Sequence, residues 1–118
     1  MDIEFLRSVC LSLPGTTEGV KWGNDLCFMV AEKMFCVTGL EGPFAVSFKV
    51  TDEEFEELCQ RDGFEPAPYM ARNKWVTVRN AGKLSKKEWK DLIEQSYQLI
   101  KSKLPKKVQQ GLATKRKK

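Results

Sequence analysis

Histidine is absent from all 118 residues, which removes the commonest general base and the commonest metal ligand together. Lysine or paired carboxylates remain as chemistry, but none stands in a glycine-rich loop or beside a suitable nucleophile. A non-enzymatic protein with no cofactor and no metal is therefore expected. CxxC pairs are missing too. The four cysteines, Cys10, Cys27, Cys36 and Cys59, lie 17, 9 and 23 positions apart among apolar neighbours. That spacing fits reduced core residues rather than a zinc or redox centre. Long apolar runs are lacking, since nothing approaches the roughly eighteen residues of a membrane span. The opening MDIEFLRSV has no basic stretch followed by an apolar block, so a soluble, cytoplasmic protein is expected.

What is present is an uneven distribution of charge. The net charge is +4, but residues 1–100 carry 12 Lys or Arg against 16 Asp or Glu, and residues 101–118 carry 8 against none. An acidic body thus precedes a basic tail over residues 101–118, of which residues 109–118 are read as a flexible segment beyond the domain. With Lys106, Lys107, Lys115, Arg116, Lys117 and Lys118 the tail is either a handle for a polyanion or a solubilising terminus.

Hydrophobic periodicity predicts an α+β domain without repeats or internal linkers. Phe5, Leu6, Val9, Cys10 and Leu13 make one face of a first helix that Pro14-Gly15 ends. Residues 18–22, 26–30, 34–38 and 44–50 read as short strands joined by tight turns, the pattern of an antiparallel meander. In the last of these, Phe44, Val46, Phe48 and Val50 share one face, while Ala45, Ser47 and Lys49 share the other. A sheet covered on one side only is the expected result. Thr51 with Glu54 and Ser85 with Glu88 are capping boxes for a second and a third helix. The acids Asp52, Glu53, Glu54, Glu56 and Glu57 suit the N-terminal end of the second. The loop over residues 61–69 leads through Pro66 and Pro68 to a strand over residues 75–79. Trp89, Leu92, Ile93, Tyr97, Ile100 and Leu104 make the apolar stripe of the third helix, which ends at Pro105. Helices one and three are expected on the same sheet face.

The order LPGTTEGVKWGNDLCFMVAEKMF, SFKV, PAPYMARNKWVTV and EWKDLIEQSYQLIKSKLPKK resembles the MmcQ/YjbR family of small bacterial proteins over nearly all of residues 1–108. The resemblance implies a two-layer α+β sandwich of residues 1–108, with about five or six antiparallel strands and helices on one face, similar to CyaY and to type III secretion chaperones. It also implies DNA binding, the label its members commonly carry. The chain departs from many relatives at Ala71, and the tail after Lys107 lies outside the family pattern.

Three readings of the segment PAPYMARNKW and the open sheet face compete. In the first they bind DNA, weakly and with salt sensitivity: Lys49, Arg72, Lys74 and Arg79 meet phosphates, Trp75 or Tyr69 stacks or wedges, and Lys115, Arg116, Lys117 and Lys118 add non-specific attraction. The tail is then the main contact and residues 72–79 the secondary one. In the second the same face docks a protein or a small molecule. In the third, Trp75 and Tyr69 bury against the sheet, Asn73 holds its turn and Arg72 pairs with an acid of the second helix. No membrane partner is expected, and the chain is expected to be a monomer or weak dimer.

Overall fold

Asp2 starts the first helix, α1 (Ile3–Leu11), by accepting a 2.9 Å hydrogen bond from the Phe5 N–H, and Leu6, Val9 and Cys10 are buried on its inner face. Six strands follow: β1 (Thr16–Lys21), β2 (Asp25–Val30), β3 (Lys33–Gly39), β4 (Val46–Lys49), β5 (Phe64–Pro66) and β6 (Trp75–Val78). Helix α2 (Asp52–Leu58) separates β4 from β5, and α3 (Lys86–Lys101) and α4 (Lys106–Lys115) close the chain. This computed structural model describes residues 2–67, 71–79, 82 and 84–115, without the side chains of residues 71, 110 and 112–115. Tyr69, Arg116, Lys117 and Lys118 therefore lie outside the described residues, as does the side chain of Lys115.

The strands form one sheet in the order β1-β2-β3-β4-β6-β5, every neighbouring pair antiparallel. Register follows burial. Leu26, Phe28, Thr38, Cys36, Val46, Phe48, Val76, Val78 and Phe64 are opposed across the strands and fall on one face, where the core lies. An irregularity between Phe28 and Met29 lets β3 bury two successive residues, Phe35 and Cys36. Trp89, Ile93 and Tyr97 of α3 are buried beside them, with Trp89 edge-on to Phe48 at 6.1 Å and Tyr97 edge-on to Phe35 at 5.5 Å. Both capping boxes form as the sequence predicts, at Thr51/Glu54 and Ser85/Glu88. The other acids of α2 are exposed, as a solvated surface requires.

Two features differ from the expectation. Residues 64–66 form a strand rather than loop, because their pairing with β6 supplies what three residues lack alone. Residues 106–115 form a helix, an element that the periodicity did not predict. Pro105 ends the preceding segment and is also tolerated where a helix begins, having no N–H to leave unpaired. Its carbonyl accepts from the Val108 and Gln109 N–H groups, and the Gln109 Nε2 donates to the Leu104 carbonyl at 2.7 Å.

Candidate functional site

The face of the sheet away from α3 carries the alternate side chains. Val37, Ser47 and Thr77 lie across β3, β4 and β6 in one row, and Lys49 and Trp75 form the next row on β4 and β6. Two cavities share Met34 as a wall, one of about 660 Å³ on this face and one of about 480 Å³ at its edge, where the end of α3 also lines it. Both fall in the size range of ligand sites.

The larger cavity is a trough. Val37, Gly39 and Ala45 line it with little polarity, Ser47 and Thr77 add a hydroxyl pair 2.7 Å apart, and Trp22, Asp25 and Arg79 also line it. Trp22 breaks two local rules at once. It holds φ at 52°, where glycine or asparagine is the easy choice, and it is 72% exposed, although a large aromatic ordinarily finds cover. The reason for the backbone lies in the turn: Lys21 pairs with Asp25, so residues 22–24 must reverse the chain. Nothing in the turn requires an indole there.

The smaller cavity is basic. Lys33, Lys49 and Lys103 line it with Asn73, Trp75, Ile100 and Leu104, and no carboxylate is among the lining residues that the structure describes. Lys49 rises from β4, and its Nζ donates to the Asn73 carbonyl at 2.5 Å. Burial pushes its pKa down first, and the positive charges of Lys103 and Lys74 push it further, against the pull of Asp52. The ammonium group of Lys49 thus sits near that of Lys103 at a cost that a bound anion would relieve.

The cations expected from the sequence separate. Lys74, at φ 63° after the 3₁₀ turn Ala71–Asn73, turns toward α2 and places its Nζ 5.0 Å from the Phe55 ring centroid. Arg79 lies beside the trough instead, its Nε 3.0 Å from the Glu65 Oε1. Arg72 is exposed in the 3₁₀ turn and forms no ion pair with α2 among the described residues. Trp75 is 4% exposed, a wall of the basic cavity rather than a free stacking surface. Lys33, Lys103 and Trp22 were not singled out by sequence. Only Trp22 left a signal, an aromatic beside Gly-Asn-Asp in a hairpin turn.

The thiols offer no nucleophile in this region. All four are free; Cys10, Cys27 and Cys36 are buried and Cys59 is half-buried. Desolvation is the first cause raising the pKa of Cys27, Cys36 and Cys59, and at Cys36 the neighbouring Cys10 adds to it. A disulfide-exchange reagent is expected to react slowly with the native protein and to count four thiols once it is denatured. A thiol modified at the rate of a free cysteine under native conditions contradicts this placement. Among the described residues no group of three or more His, Cys, Asp or Glu is placed to hold a metal, and no helix is long and apolar enough to cross a membrane.

The architecture has solved counterparts. A crystal structure of a Deinococcus radiodurans protein with a DUF419 domain superposes with a TM-score of 0.85 at 29% identity, over 94% of this chain and 87% of its own. A Pseudomonas syringae protein gives 0.71 at 24% identity, over 84% of this chain and 98% of its own, which speaks for the fold alone. No curated protein matches the chain. The YjbR family model matches residues 11–99, a span from the end of α1 almost to the end of α3 that holds the whole sheet and most of both cavities, and the chain accordingly belongs to the YjbR family.

Proposed function

We propose that this is a non-enzymatic DNA-binding domain that takes the phosphate backbone at the basic cavity. One observation carries the reading: Lys33, Lys49 and Lys103 converge on a single cavity with no acid among its described lining residues, although the first hundred residues are acidic overall. The position matters because phosphate contacts are electrostatic and need cations that share one surface. Lys74 is near enough to lower the Lys49 pKa, while the exposed acids of α2 keep the total attraction small. The binding is accordingly weak and steeply dependent on salt. The 660 Å³ trough favours a second reading, a small-molecule site on the same face.

The salt dependence of DNA binding tests the first reading. Each phosphate contact contributes about 0.9 to the slope of log affinity against log salt. Replacing Lys33, Lys49 and Lys103 together by methionine, which keeps an apolar stem, is expected to lower the slope by about 2.7. Deleting residues 115–118 measures the tail separately. If the lysine variant keeps the parent's slope and the deletion abolishes binding, the folded domain does not hold DNA.

A further inference from the structure

We propose that the sheet face binds an unstacked nucleobase in the trough beside Trp22, with the attached phosphates over Lys33, Lys49 and Lys103, so that its ligand is single-stranded nucleic acid rather than duplex. The inference rests on the phosphate-binding reading and extends it. The two cavities adjoin at Met34, so a ligand longer than either can reach from one into the other. From Ser47 to Lys49, and from Thr77 to Trp75, is two residues along a strand on the same face, roughly 7 Å. A single sugar–phosphate unit spans that separation. A base held in a duplex cannot leave its stack to enter a trough without breaking its pair, whereas a strand presents its bases freely.

The trough has the chemistry of a base site. Trp22 offers an exposed indole face at its rim, and stacking on an aromatic is the sequence-tolerant contact by which single strands are held. Val37, Gly39 and Ala45 give an apolar wall for the ring. Ser47 and Thr77 use one hydroxyl hydrogen in the bond between them, which leaves the second hydrogen and the remaining lone pairs for a base edge. Asp25 has no ion pair among the described residues and is positioned to accept from an exocyclic amine. Arg79 has its Nε on Glu65, and its terminal nitrogens remain as donors. A strained backbone and an uncovered aromatic at one residue are both costs to folding that a stacking role explains.

The test uses three probes: a deoxyadenosine oligonucleotide, the same strand paired in a duplex, and free adenosine, which carries no charge. Trp22 lines the trough and Trp75 the basic cavity, and of the three tryptophans only Trp22 is exposed, so the part of the intrinsic fluorescence that is lost in Trp22→Phe reports on the trough. The strand and adenosine are expected to quench it and the duplex to leave it unchanged. Trp22→Ala is expected to weaken strand binding about 5- to 150-fold, the loss of one base–aromatic stack at ~1–3 kcal/mol, without changing the salt slope or duplex binding. Trp22→Phe should recover part of the loss. The indole lies in solvent, so neither variant should shift the unfolding midpoint appreciably. Strand affinity unaltered in Trp22→Ala, or no quenching by strand and adenosine, overturns the base site even if the lysines hold DNA. Quenching by adenosine with no binding of either DNA form overturns the single-strand proposal together with the phosphate-binding reading and leaves a nucleoside-sized pocket.

Discussion

Replacing Trp89 with alanine lowers the stability of the fold by about 3–5 kcal/mol, the usual cost of emptying a buried aromatic position. Its indole is inaccessible to solvent and meets Phe48 edge-on, so the lost contacts join α3 to the middle of the sheet. At about 4 °C per kcal/mol for a domain of this size, the melting midpoint falls by roughly 12–20 °C. Trp22→Ala is the contrasting measurement, since Trp22 is largely exposed and no core packing depends on it. Equal midpoints for the two variants would contradict the assignment of Trp89 to the core and of Trp22 to the rim.

That contrast also shows what was legible in the sequence. Trp89 announced itself through the stripe it shares with Ile93 and Tyr97, a pattern local to one helix. The capping boxes at Thr51/Glu54 and Ser85/Glu88 were equally local, three residues from donor to acceptor. The alternation of residues 44–50 separated the core face from the opposite one, because a strand has only two faces. That opposite face is not open throughout, since Cys27, Trp75 and Thr77 are buried on it. Strand β5 was not legible: Phe64, Glu65 and Pro66 have no period of their own and become a strand only through β6. The cations of residues 72–79 separate for a related reason. Arg72, Lys74 and Arg79 are close in sequence, but a 3₁₀ turn and a strand send Lys74 to Phe55 and Arg79 to Glu65. Lys33, Lys49 and Lys103 are far apart in sequence, and only the packing of β3, β4 and the end of α3 gathers them. Closeness along the chain was the wrong measure for a site built across elements.

Ser96 links the fold to this site, and its removal is expected to cost about 2–4 kcal/mol. Its hydroxyl, wholly buried on α3, donates to the Phe35 carbonyl at 2.6 Å and accepts from the Lys49 N–H at 2.9 Å. It thereby satisfies one backbone group from each of two adjacent strands, β3 and β4. Ser96→Ala leaves both buried groups without that partner, and each unsatisfied group costs about 1–3 kcal/mol. The lower part of the summed range applies because backbone groups at the end of a strand relax toward other partners. The consequence is local as well as global. Lys49 stands at the end of β4, and its backbone direction decides whether its side chain lines the cavity with Lys33 and Lys103. Denaturant unfolding of the variant should show the loss, and hydrogen exchange should find the Lys49 amide among the first to lose protection. Phosphate affinity should fall with the salt slope nearly intact, because the charges remain while their convergence is loosened. A variant that unfolds within 0.5 kcal/mol of the parent and protects the Lys49 amide as before would show that the serine bridge does not hold the basic cavity in shape.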